Sequence, residues 1–334
     1  MEFVAEKKRI EWVDIAKGIL ILLVVLGHFL EALGYYEFVH KWIYSFHMVS
    51  FFALSGVVFK EYNIKPLAFI RKKFRSLIIP AYIAFFITAI YSCFQVGFHN
   101  LWEWLSIKNI ISVLVLHNYW FIGALFSLEI IEYFLHKVFL NGTILLFISF
   151  MLLCFGIACK QIIPNSIDIP FSIIQGAVCA PFFELGFQFK GVLNRLKFDS
   201  LLKKFLFIFV SFGVSLFSVI LYPYQNSILV YAVEISDIQW FLICGISGGL
   251  LIIIVAQIIY CSKWLVWLKS LFEYVGRSSI YIYLYQSIFI TLTIDKFRLQ
   301  MYNTPYMIML LLSCIITGLI SILFNVIHKL VDQK

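Results

Sequence analysis

Apolar runs, each close to twenty residues long, follow one another along almost the whole chain. A helix needs about that length to cross the hydrocarbon core of a bilayer, because each residue advances it by roughly 1.5 Å. Ten such runs are read as membrane spans: Val13–Leu33, Val39–Phe59, Leu77–Val96, Tyr119–Phe139, Thr143–Cys159, Phe171–Phe189, Phe205–Tyr222, Ile238–Ile259, Ser278–Ile294 and Pro305–Ile327. The short apolar stretch Asn109–His117 is expected to dip in from one side. With 62% of 334 residues apolar and only 13% charged, a soluble fold could not hide this much apolar surface. The expected fold is all-α: a polytopic transmembrane helix bundle of about ten spans. It forms a single domain over residues 1–334, multi-pass in the cytoplasmic membrane. The first run is read as a retained span, since no small-residue cleavage site follows it.

The predicted spans divide lysine and arginine unevenly. Lys41, Lys108, Lys160, Lys296 and Arg298 fall on one side. The other 21 of the 26 fall opposite, among them Lys7, Lys8, Arg9, Arg71, Lys72, Lys73, Arg75, Lys197 and Lys203. The positive-inside rule then places both termini in the cytoplasm. The formal net charge of +8 reads as anchoring, and no nucleic-acid partner is expected, because no basic stripe is interleaved with aromatics. The seven cysteines make no CxxC pair and no Cys/His cluster with zinc spacing, so no metal is expected. The opposite loops carry Glu37, Trp102, Glu103, Trp104, Asp168, Tyr224, Glu234 and Asp237. Such groups suit the hydroxyls and C–H faces of a sugar, and equally an ordinary aromatic belt.

Charged or titratable groups inside a span are costly and are functional candidates by default. In the first span Lys17 and His28 stand eleven residues apart, which returns them to nearly one face, about 16 Å apart along the axis. Asp14, one turn from Lys17, is expected to neutralise it. His47 on the second span counts to a depth similar to that of His28. Glu31, one turn above His28, is placed to orient its ring. Gly27 and Gly56 leave room for close helix approach or for a ligand. Glu129 is a further buried polar candidate, whereas His40, His99, His117, His136 and His328 are read as interface residues.

Five short motifs resemble the acyltransferase-3 family of membrane O-acyltransferases, especially its fucose 4-O-acetylase-like branch. They are Asp14-Ile-Ala-Lys-Gly through Val-Leu-Gly-His28, Phe46-His-Met-Val-Ser-Phe-Phe-Ala-Leu-Ser-Gly56, Arg71-Lys-Lys-Phe-Arg75 leading to Tyr82, Asn118-Tyr-Trp-Phe-Ile-Gly-Ala-Leu-Phe126, and Gly276-Arg-Ser-Ser through Gln286. Much of the family has arginine where Lys17 stands, and often histidine where Gln286 stands. The resemblance implies transfer of an acyl group, usually acetyl, from cytoplasmic acetyl-CoA to a sugar hydroxyl. The acceptor would be a surface glycan or its lipid-linked precursor. His28 would act as general base or carry the acyl group covalently, and His47 would orient it or relay the proton. Lys17, Arg71, Lys72, Lys73 and Arg75 would hold the donor phosphates. Glu31, Tyr119, Trp120, Glu129 and Gln286 would line the acceptor side. A glycan-precursor transporter, or an acyltransferase using another donor such as succinyl-CoA, stands as the alternative. Membrane lipids are expected partners, and a homo-oligomer is left open.

Overall fold

The computed structural model describes residues 9–60, 64–96, 106–163, 169–195, 200–221, 230–300 and 303–332. Lys7, Lys8, His99, Trp102, Glu103, Trp104, Asp168, Lys197 and Tyr224 lie outside the described residues, as do the side chains of Lys108 and His328. The regular elements are helices. In chain order they are α1 (Glu11–Ala32), α2 (Phe38–Tyr44), α3 (His47–Val58), α4 (Pro66–Lys73) and α5 (Ile79–Val96). Then come α6 (Ile107–Leu114), α7 (Trp120–Val138), α8 (Gly142–Ile162), α9 (Ile173–Leu193) and α10 (Leu201–Ile220). The chain ends with α11 (Ile238–Cys261), α12 (Val266–Arg277), α13 (Ser279–Phe297) and α14 (Tyr306–Asp332). Polar side chains start several of them. Asn141 accepts from the Thr143 amide at 2.8 Å, Ser200 from Lys203, and Asp237 from Gln239 at 2.7 Å. Asp237, counted above among groups suited to a sugar, is therefore spent on a helix cap.

Among the described residues, eight helical runs are long and apolar enough to cross a membrane. Two of the ten expected crossings differ. The run Val39–Phe59 is not one helix, because the backbone breaks at Ser45 and Phe46 into α2 and α3. The run Ser278–Ile294 is helical as α13, but its three tyrosines and Gln286 make it less apolar than the rest. The stretch Asn109–His117 forms α6 and a turn through Leu116, joined to α7. Between α4 and α5 the helix widens into a π turn at Phe74–Ile78.

Three helices make the centre. The apolar windows of α1, α9 and α11 are 67% buried, against 22% for α8 and 17% for α10, which turn most of their surface outward. The outer faces carry phenylalanines such as Phe94, Phe155, Phe205 and Phe209, suited to lipid. Two reciprocal glycine contacts set the closest packing. A methyl added at Gly56 of α3 would run into the Phe183 carbonyl of α9, and one at Gly186 of α9 into the Ala53 carbonyl of α3. Gly18 of α1 and Gly276 of α12 meet in the same way, against the Phe272 and Asp14 carbonyls. Backbones can approach this closely only where no side chain intervenes. These contacts press α3 against α9 and α1 against α12, and two cavities open between α1 and α3.

Candidate active site

The larger cavity, of about 470 Å3, lies at the C-terminal end of α1. His28 and Glu31 face it from α1, Tyr44 and His47 from the break between α2 and α3, Trp120 from the start of α7, and Gln286 from α13. His28 Nδ1 lies 3.2 Å from Glu31 Oε2. The Tyr44 hydroxyl donates to the same Glu31 oxygen at 2.6 Å and lies 3.4 Å from His28 Nδ1. With Nδ1–H turned to the carboxylate, the lone pair sits on Nε2 of His28. The side chain is 41% exposed, so that nitrogen is within reach of a ligand in the cavity.

His47 is oriented differently. It is buried, and its Nδ1–H donates to the Ile43 carbonyl at 2.7 Å, across the break between the helices. The two imidazoles share the cavity without touching, because the Tyr44 ring lies between them. Its centroid is 6.3 Å from that of His28 and 4.8 Å from that of His47. Gly27 makes room for this ring, since a Cβ there would come within 3.0 Å of Tyr44. The orienting contacts to His28 thus come from Glu31 and Tyr44 rather than from His47.

The rim is held by strained backbone. Leu116 and Phe171 both adopt left-handed conformations, φ 59° and 53°, which cost non-glycine residues on the order of 1 kcal/mol each. The Phe171 amide donates to the Val115 carbonyl at 3.0 Å, and Ser127 donates to the Phe171 carbonyl at 2.7 Å. This brace fixes the corner from which Tyr119 and Trp120 enter the cavity. Across from them, Gln286 is buried and its side-chain oxygen has no hydrogen-bond partner. A buried acceptor without a donor is costly, and a ligand hydroxyl would relieve that cost.

A smaller cavity, of about 180 Å3, lies toward the N-terminal end of α1. Arg9, Asp14, Lys17 and Arg277 give it charge. The expected pairing of Asp14 with Lys17 is replaced: Asp14 Oδ2 lies 2.9 Å from Arg9 Nε and 3.9 Å from Arg277 Nε. The arginines reach the carboxylate from outside the helix, whereas Lys17 turns into the cavity. Among the described residues no hydrogen bond or ion pair holds its ammonium. Lys17, Ile21 and Val24 line this cavity from the face of α1 that carries His28 into the other. Met48 and Tyr283 line both cavities and form the wall between them, with Phe121 set against Tyr283 at 5.3 Å.

Of the residues singled out from sequence, His28, Glu31, His47, Tyr119, Trp120 and Gln286 meet in the larger cavity and Lys17 faces the smaller. Glu129 lines neither, and accepts a 2.6 Å bond from Lys73. Arg71, Lys72 and Arg75 are exposed on α4 and the π turn and line neither cavity. His40 and His136, read as interface residues, are buried inside the protein at 2% and 6% exposure. His40 stacks on Tyr44, one turn further along α2, at 3.9 Å, and His136 pairs with Glu184 of α9 at 3.0 Å. Sequence reasoning missed Tyr44, Met48, Arg9 and Arg277. Met48 and Arg277 stood inside quoted motifs, but no local spacing tied them to a site.

An oriented imidazole in one cavity and a lysine facing the other lie within a bundle of helices long and apolar enough to cross a membrane. A family model described as an acyltransferase domain matches residues 10–326. The chain belongs to the acyltransferase-3 family. It is 26% identical to the nodulation protein NolL of Sinorhizobium fredii (strain NBRC 101917 / NGR234). That match takes in 65% of this chain, and the chain spans 60% of the relative's length. No solved structure matches it.

Proposed function

We propose that the protein transfers an acetyl group from cytoplasmic acetyl-CoA to a sugar hydroxyl of a surface glycan or its lipid-linked precursor, in the cytoplasmic membrane. The observation that carries this reading is the single face of α1 that presents Lys17 to one cavity and His28 to the other. The donor is anionic, and the cations of the smaller cavity suit its phosphates. Lys17, Arg9 and Arg277 can bind them by charge-assisted hydrogen bonds. The thioester arm then extends past Met48 and Tyr283 toward His28, which is about 16 Å further along the helix.

The acceptor enters the larger cavity. Trp120 and Tyr119 offer faces on which a sugar ring can stack, and the Gln286 oxygen accepts one of its hydroxyls. His28 Nε2 takes the proton of the attacking hydroxyl while Glu31 holds Nδ1–H and stabilises the imidazolium that forms. The hydroxyl oxygen bonds to the thioester carbonyl carbon, and the carbon–sulfur bond breaks. The proton on His28 passes to the departing sulfur, so coenzyme A leaves as the thiol. His47, tied to Ile43, serves as a fixed acceptor for a second hydroxyl.

The test uses the full chain in membranes supplied with acetyl-CoA, with the surface glycan analysed by mass. Acetylation should vanish in His28→Ala while protein level and insertion persist. Lys17→Ala should raise the donor KM at least tenfold, and Lys17→Arg should restore most of it. Full acetylation in His28→Ala, or a donor KM indifferent to Lys17, overturns the assignment.

A further inference from the structure

The transfer reaction leaves one group of buried ionisable side chains unused. Glu132 and His136 lie one turn apart on α7, and Glu184 faces them from α9. Their exposures are 1%, 6% and 0%. His136 Nε2 lies 3.0 Å from Glu184 Oε2 and 3.6 Å from Glu132 Oε2, and the three groups offer ligand atoms all within 4.8 Å of one another. Aromatic rings pack on the imidazole. The ring of His136 packs on Phe187 at 4.2 Å and on Phe59 at 5.6 Å. None of the three lines either cavity of the active site.

Charge does not balance among these side chains alone. Two carboxylates carry two negative charges, and one imidazole supplies one positive charge at most. An uncompensated charge buried in an apolar shell costs several kcal/mol. A second observation bears on the same deficit: Glu132 Oε1 is buried with no hydrogen-bond partner. Glu184 is already steered, since the Gln188 amide donates to its Oε1 at 2.7 Å while also holding the Gly142 carbonyl. That leaves Oε2 of Glu184 directed at His136, as an outer hydrogen bond directs a metal-bound carboxylate.

We infer that Glu132, His136 and Glu184 hold a divalent transition-metal ion, zinc or manganese by donor type. Two carboxylates and a neutral imidazole around a divalent cation sum to zero, which removes the deficit. Two oxygens and one nitrogen suit those borderline ions better than calcium or magnesium, which take oxygen alone. The spacing fits as well. Donors about 2.0–2.1 Å from a tetrahedral zinc stand roughly 3.4 Å apart, between the two separations measured from His136. The ion would clamp α9 to α7, whose first residue, Trp120, lines the acceptor cavity, and its role is structural rather than chemical.

The experiment takes the full chain, purified in detergent through an affinity tag without histidine, and measures bound metal and thermal unfolding. About one equivalent of zinc or manganese per chain is expected after dialysis. A chelator should lower the unfolding temperature, and the same metal should restore it. Glu132→Gln and Glu184→Gln should each weaken metal affinity at least tenfold and leave unfolding indifferent to chelator. Wild-type protein that keeps no metal and whose unfolding ignores added zinc and manganese overturns the inference, the cluster then being neutralised by a shared proton. Metal retained undiminished by both variants overturns it too, because the ion would then sit elsewhere.

Discussion

The Tyr44 hydroxyl bonds the carboxylate that also holds His28, so a single phenol stands behind the proposed base. Removing it leaves Glu31 one donor short inside a half-buried site, and a hydrogen bond to a charged acceptor is worth roughly 1.5–3 kcal/mol. Tyr44→Phe is expected to lower kcat by about tenfold, and Glu31→Gln by about 10–100-fold, the range seen when an orienting partner is lost. Neither should alter the donor KM, because the proposed phosphate site lies at the far end of α1. Steady-state rates over a donor titration check this, and a parallel rise in donor KM would count against the separation of the two ends. At this scale the sequence was partly legible. A lysine and a histidine inside an apolar run stand out on cost alone, and their eleven-residue spacing predicts a common face. Tyr44 does not stand out, since a tyrosine in an apolar stretch reads as lining, and its role depends on a helix break. The third member of the Glu132 cluster was equally hidden, because Glu184 lies 48 residues from His136 and no local spacing joins them.

The break at Ser45 and Phe46 is the element that makes the site. An unbroken helix would carry Tyr44 and His47 at three-residue spacing past α1, with no bend to open space between them. Hydropathy cannot reveal the break, because the residues on both sides are apolar. It can reveal the runs, which is why most spans were readable, and why α12 was not, being a three-turn amphipathic helix too short and too charged to read as a span. The glycine contacts belong to this scale. Gly56→Ala would press a methyl into the α9 backbone, and overpacking of this kind typically costs about 1–3 kcal/mol. Gly213→Ala meets nothing within 4 Å and should gain instead, by up to roughly 1 kcal/mol of helix propensity. Thermal unfolding in detergent should therefore separate the two substitutions in opposite directions.

Across the whole molecule, the proposed mechanism requires the Lys17 end of the bundle to face the cytoplasm. If the α2–α3 pair and α13 cross beside the eight long helices, the number of crossings among the described residues is even, and the mechanism then predicts both termini on that side. Reporter fusions at residue 334, and impermeant labelling of a cysteine placed at Glu234, should find the first inside and the second outside. The opposite pattern would invert the donor and acceptor assignments together. The wall of Met48 and Tyr283 then acquires a meaning beyond catalysis. If the two cavities filled with water and met freely along α1, protons would run down the membrane's own gradient, with His28 and Lys17 as stepping stones. A cell could tolerate the proposed transfer across its membrane only if the protein is also an insulator. Proteoliposomes carrying the wild-type chain should hold a pH gradient, and those carrying Tyr283→Ala together with Met48→Gly should lose it faster, so that the same two side chains guard both the thioester and the proton-motive force.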